Sequence, residues 1–166
     1  MSSIPTHLPN FPLTNLATAQ FTSTNTFKGT PTIIDFWTTK CTRCPDALDE
    51  LDALASSPLY KHVKFASICC DLCDGARDII DRDDEPRWGN VDHYHMGFEH
   101  KEQAKKILGF KSVPFIVVLN EEGEIVQMGS KKQIDFGNVP GMIKESPRGV
   151  EEPLGERAFV IEDLDF

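Results

Sequence analysis

The chain has 166 residues, 40% hydrophobic and 26% charged. That composition fits a globular domain long enough to bury a core without disulfide or metal staples. Its 17 basic and 26 acidic residues leave a formal net charge of −9, which argues against nucleic acid, because a phosphate-tracking groove needs clustered Lys and Arg.

Residues 1–30 alternate short apolar groups with turn formers, as in Leu8-Pro9-Asn10-Phe11-Pro12-Leu13 and Phe27-Lys28-Gly29-Thr30, and predict a hairpin against the edge of the domain. Met1-Ser-Ser-Ile-Pro lacks the charged start and apolar stretch of a secretory signal. No apolar run approaches the roughly 20 residues that cross a bilayer, so the expected address is cytoplasmic and no membrane partner is expected. Residues 1–34 contain no Asp or Glu, as in organelle transit peptides, but they contain no Arg either, so organelle import stays open.

Thr32-Ile33-Ile34-Asp35-Phe36-Trp37 is too continuously apolar for a half-exposed strand and predicts a buried central one. A carboxylate inside that run is costly unless it is hydrogen-bonded or has work to do, which marks Asp35. Beyond it, Cys41-Thr42-Arg43-Cys44 falls where the strand turns into a helix, predicted from Ala47, Leu48, Leu51, Leu54 and Ala55 and ended by Ser56-Ser57-Pro58. A sulfur at a helix N-terminus sees unpaired backbone N–H groups and the positive end of the dipole, both favouring thiolate. Lys40 and Arg43 add positive charge, so Cys41 is the expected nucleophile. Cys44, one turn further in, is the expected resolving thiol, and Pro45 is tolerated because first-turn N–H groups lack intrahelical partners.

A second strand is predicted over 63–69, followed by an acidic, His-containing stretch from Asp71 to His100 that is long for a connection. It is expected as a solvated, mobile flap that buries Trp88, Tyr94 and Phe98 in part. His93, His95 and His100 lack tight metal-ligand spacing. A short helix carrying Ala104, Ile107 and Leu108 closes on Gly109, placed as a C-terminal cap. Two strands around Asn120-Glu121-Glu122-Gly123 then read as a β-hairpin. The order is βαβ followed by αββ. Residues 1–140 are expected as the domain, with an insertion at about 72–100, and 141–166 as an acidic C-terminal tail.

By itself a Cys-x-x-Cys also reads as an inert pair or as half of a metal site. Cys70-Asp71-Leu72-Cys73 supplies a second pair and with it a four-cysteine zinc alternative, although a predicted helix and strand separate the two. No cofactor and no metal are expected.

The stretch from Ile34-Asp35-Phe36-Trp37 to Cys41-Thr42-Arg43-Cys44 resembles the active site of the thioredoxin family. Gly109-Phe110-Lys111-Ser112-Val113-Pro114-Phe115 resembles the segment that ends in the family's cis-proline, and the match runs in order from about residue 31 to 129. The opening hairpin and Phe27-Lys28-Gly29-Thr30-Pro31 look more like the redoxin branch. The resemblance implies an α/β thioredoxin-like fold: a central mixed sheet flanked by helices, with an N-terminal hairpin extension and an insertion after the second core strand. It implies that Cys41 attacks a target disulfide, Cys44 resolves the mixed disulfide, and Asp35, raised in pKa by desolvation, exchanges a proton with Cys44. Cis Pro114 would hold the Val113 backbone open to a substrate strand, with Trp37, Thr42 and Arg43 shaping the approach and Asp71 pairing with Trp37. Thr42-Arg43 replaces the Gly-Pro of ordinary thioredoxins, which shifts the redox potential, and Thr38-Thr39-Lys40 replaces their Ala-x-Trp entry.

The implied activity is reduction of protein disulfides, with electrons from an upstream reductase or a small thiol. Two alternatives accompany it. One is a redox-sensing or protein-binding module on the same fold, and the other is a thiol peroxidase, because Thr38-Thr39-Lys40-Cys41 echoes the Thr-x-x-Cys of peroxiredoxins. In the implied fold the second strand ends on the active-site side, so Cys70 and Cys73, or one of them with the main pair, could form a secondary disulfide relay. The plain alternative makes Cys69 a small core residue and the other two loop thiols.

Overall fold

The apolar run 32–37 lies at the centre of the sheet. The computed structural model describes residues 5–81 and 86–139. Within them the strands are β1 (Pro12–Asn15), β2 (Phe21–Ser23), β3 (Thr32–Trp37), β4 (Lys64–Cys69), β5 (Asp92–His95), β6 (Phe115–Leu119) and β7 (Ile125–Ser130). The helices are α1 (Cys44–Ala55), α2 (Cys73–Ile80) and α3 (Phe98–Leu108). The strands form one mixed sheet in the order β2-β1-β5-β4-β3-β6-β7. Strand β4 runs parallel to β3 and β5, whereas β6 is antiparallel to β3 and β7. The expected tail over 141–166 lies outside the described residues, as do Asp83, Asp84 and Glu85.

Alternation along β3 sorts its side chains into two layers. Ile33 and Trp37 pack with Phe65, Cys69, Ile116 and Val118 beneath α1 (Cys44, Leu48, Leu51) and α2 (Ala76, Ile80). Ile34 and Phe36 pack with Ala66, Ile68, Phe115 and Val117 against Ala104 and Leu108 of α3. Both faces of the central strands are therefore covered, and each fully buried Ile, Leu or Phe contributes about 1.5–3 kcal/mol. Helix α3 ends where Gly109 takes φ 79°, with its N–H on the Lys105 carbonyl, as the sequence suggested.

The stretch after β4 departs from expectation. In place of a flap it contains α2 and β5, and β5 is hydrogen-bonded between β4 and β1. Its backbone bonds carry it into the sheet although its sequence, Asp92-His93-Tyr94-His95, gives only Tyr94 to the core. Trp88 and Tyr94 are buried, whereas Phe98 is 70% exposed. No helix among the described residues is long and apolar enough to cross a membrane.

Candidate active site at the end of the central strand

Strand β3 delivers the chain to a turn at the C-terminal edge of the sheet, and the two cysteines lie in the segment that links it to α1. Cys41 and Cys44 are joined by a disulfide, with Cα atoms 5.4 Å apart. Cys44 is fully buried, while Cys41 is half-buried at the surface. Helix α1 begins at Cys44 itself, with Pro45 next and Arg43 at the N-cap position, so Cys44 is the first helical residue and not one turn inside. The turn through Thr42 and Arg43 uses up that length. Both sulfurs still face the positive end of the α1 dipole, and Thr42 and Arg43 are exposed beside them.

Across from the pair the Val113–Pro114 peptide is cis, and the Val113 carbonyl oxygen lies 3.6 Å from Cys41 Sγ. Val113 is half-buried and Pro114 buried. Asp35 lies opposite Ser67 and Ile116 in the sheet register, and alternation places it on the same face as Ile33 and Trp37, toward α1. Burial pushes its carboxyl well above the usual carboxylate range, and neither oxygen has a hydrogen-bond partner among the described residues.

Trp37 does not reach the approach surface. It is 1% exposed, edge-on to Trp88 with ring centroids 6.0 Å apart, and its indole N–H donates to Ser67 Oγ at 3.2 Å. Ser67 Oγ is in turn 2.7 Å from His93 Nδ1, and His93 Nε2 is 3.0 Å from the Trp88 carbonyl oxygen. A carbonyl only accepts, so Nε2 carries the proton and the Ser67 hydroxyl donates to Nδ1. Burial, the largest influence, lowers the His93 pKa against the raising effect of its bond to Trp88 and of nearby aspartates. This polar chain is absent from the sequence reading, because Ser67 sits in an apolar run and His93 in a strand read as a flap.

The expected pairing of Asp71 with Trp37 is also replaced. Asp71 accepts from the Thr39 N–H at 3.0 Å and from Thr39 Oγ1 at 2.8 Å, which ties the loop after β3 to the loop after β4. Burial raises the Asp71 pKa, but the bonds from Cys69, Thr39 and Leu72 outweigh it and leave the carboxyl below its ordinary value.

Cys69, Cys70 and Cys73 are free thiols, and strand alternation separates them. Cys69 lies in the α1 layer and gives its thiol to Asp71 at 3.0 Å, whereas Cys70 lies in the α3 layer. Cys73, the first residue of α2, packs against the α1 layer. Cys70 and Cys73 form no disulfide and contribute to opposite sides of the sheet, so the relay raised as an alternative is not assembled between them, and Cys69 is a buried core residue as in the plain reading. Burial pushes the Cys70 thiol up to about 12 and the Cys69 thiol higher still, so neither is a ready thiolate near neutral pH. Among the described residues no three His, Cys, Asp or Glu side chains group closely enough to hold a metal ion. His95 Nε2 instead donates to the Asp71 carbonyl at 2.8 Å.

A scan of the sequence against protein-family models and a search of curated proteins both return no match. Solved structures do match. The thioredoxin domain of a thiol-disulfide oxidoreductase from Bacteroides vulgatus is similar with a TM-score of 0.64 and 20% identity, over 76% of this chain and 89% of that one. Copper-bound yeast Sco1 is similar with a TM-score of 0.67 and 16% identity, over 92% of this chain and 95% of that one. MTB dsbF, in mixed oxidised and reduced forms, gives 0.60 and 14%, over 77% and 88%. The fold is therefore thioredoxin-like, with the Cys-x-x-Cys disulfide at the end of its central strand.

Proposed function

We propose that this protein is a thiol-disulfide oxidoreductase that reduces protein disulfides through Cys41 and Cys44. The observation that carries the reading is the asymmetry of the pair: a half-exposed Cys41 disulfide-bonded to a fully buried Cys44. In the reduced protein the Cys41 thiolate attacks one sulfur of the target disulfide. The target S–S bond breaks, the other target sulfur leaves as a thiolate that takes a proton, and Cys41 is held in a mixed disulfide. The ionised Asp35 carboxylate takes the proton of Cys44, whose thiolate attacks Cys41 Sγ, closes the Cys41–Cys44 bond and releases the second target sulfur as a thiolate, which takes up the proton that Asp35 passes on. The target gains two electrons and two protons, and an upstream reductase or small thiol returns them to the protein.

The Val113 carbonyl and cis Pro114 beside Cys41 support a docked substrate strand at that edge, flanked by Thr42 and Arg43. Trp37 acts from below as packing, not as a contact surface. The copper of yeast Sco1 is not carried over, since no third ligand joins the two cysteines among the described residues. A reducing compartment, the cytosol or the interior of an organelle, suits a chain with three further free thiols.

The test is a redox titration in defined thiol buffers with mass mapping of all five cysteines, followed by turnover of a disulfide substrate. Closure of Cys41 and Cys44 near the thioredoxin value of about −270 mV, with turnover, is expected; a value near −120 mV marks an oxidant instead. Cys41→Ser abolishes turnover, and Cys44→Ser accumulates the mixed disulfide on Cys41. Full turnover by Cys41→Ser overturns the assignment.

A further inference from the structure

The chain as a whole is acidic, with a net charge of −9, yet the groove beside the disulfide has the opposite sign. A cavity of about 380 Å³ has Arg43, Val113, Pro114, Lys131, Lys132 and Asp46 in its walls. Val113, one of its wall residues, has its carbonyl oxygen 3.6 Å from Cys41 Sγ, so the groove lies beside the reacting sulfur. Three cations face one carboxylate there. Arg43 and Lys132 are exposed and have no ion-pair partner among the described residues. Lys131 is held by Glu50, with Nζ 2.7 Å from Oε1. Lys40 and Lys111, exposed on the loops that carry Cys41 and Val113, have the same sign.

Cations gathered without partners repel one another and add nothing to the fold, whereas in a concave site they focus a positive field. A guanidinium adds a planar fork that matches a carboxylate. Two other cavities among the described residues lack this combination: one lies between β1 and β5 around Arg77 and Asp92, and one is a shallow face of α3.

We propose that the groove receives an acidic stretch of a substrate polypeptide, with Asp or Glu side chains within a few residues of the target cysteine. Disulfides in acidic surroundings are then reduced in preference to those in basic ones. Arg43 and Lys132 read the carboxylates, and Lys131 joins them to the extent that Glu50 releases it. This deepens the reductase reading and rests on it for turnover, although not for docking.

Two labelled peptides of identical core, one flanked by Glu and one by Lys, test the idea in two arms. In the first arm the peptides carry a disulfide, and kcat/KM is compared on the same enzyme, so that any change in redox potential cancels in the ratio. A preference of roughly fivefold to tenfold for the Glu peptide is expected at low salt, the scale of a few exposed ion pairs. The ratio falls toward one at about 1 M salt, where the Debye length is ~3 Å. Lys132→Glu and Arg43→Gln each lower the ratio, and Glu50→Gln, which frees Lys131, raises it. In the second arm, Ser replaces Cys in both peptides and their binding to the oxidised protein is followed by anisotropy. Tighter binding of the Glu peptide, lost in Lys132→Glu, supports the groove even if turnover fails, and that failure then counts against the reductase reading alone. Equal binding of the two peptides, a ratio near one at low salt, or a ratio unmoved by Lys132→Glu with that variant folded overturns the proposal.

Discussion

Asp35 is fully buried on the α1 face of the sheet, and among the described residues neither oxygen has a hydrogen-bond partner. Its folded-state pKa lies above the unfolded value of about 3.9. At pH values between the two, the folded protein holds a proton that the unfolded chain has released, and above the folded value the carboxylate is free to accept one. The stability linked to this group is fully present below about pH 3.9 and is lost as pH rises through the folded pKa. Asp35→Asn is expected to be more stable than the native protein at pH 8, with the difference shrinking toward pH 4, as read by chemical denaturation across that range. The same variant is expected to slow resolution of the mixed disulfide, because the acceptor for the Cys44 proton is gone. A variant less stable at every pH would mean that the carboxyl serves packing rather than proton transfer. Asp35 stood out in the sequence because a carboxylate interrupts an apolar run. Trp37 belongs to the run that predicts a buried strand, but the resemblance gave it a part in the approach surface, and the packing of Trp88 and the bond to Ser67 leave it wholly inside.

The elements that carry the site were legible where periodicity was strong. Strand β3 and helix α1 follow from one β-branched and aromatic run and one apolar stripe, and their junction fixes where the cysteines stand. Gly109 shows the same legibility at a helix end. It has φ 79° and nothing within 4 Å of where a Cβ would lie, so only the backbone conformation resists a side chain. Gly109→Ala is expected to cost roughly 1–2 kcal/mol, measurable as a lower midpoint in thermal denaturation with the disulfide intact. Helix α2 and strand β5 were hidden for the opposite reason. Helix α2 is amphipathic, with Ala76 and Ile80 buried one turn apart, but it has only 8 residues and one short apolar stripe, and β5 is Asp-His-Tyr-His, with no apolar alternation at all. What holds β5 is its pairing with β4 and β1 together with the bonds of His93 and His95, none of which is local in sequence.

The sheet order makes the molecule unequal from one side to the other. The hairpin of β1 and β2 joins the sheet only through β5, whereas β3 is flanked by β4 and β6 and buried along its whole length. Hydrogen exchange is expected to follow this gradient. Amides of β3, β4 and β6 should exchange at the slowest rates, through global opening, and those of the edge strand β2 sooner, by local opening. Equal protection of β2 and β3 in a mass-spectrometric time course would contradict that order. The charge distribution is another property of the whole: the net charge is acidic, but folding collects Arg43, Lys131 and Lys132 around one groove.

The sequence by itself determined the α/β class, the buried central strand, the cysteine pair at its end and the helix cap, because each rests on residues within a few positions of one another. The tertiary structure decided the rest. Strand alternation sends Cys69 and Cys70 to opposite layers, long-range pairing makes a strand of a polar tetrapeptide, and the return of β7 beside Pro114 brings two lysines into one groove with Arg43 from about 90 residues away. These are contacts between distant segments, fixed by burial and register rather than by local propensity.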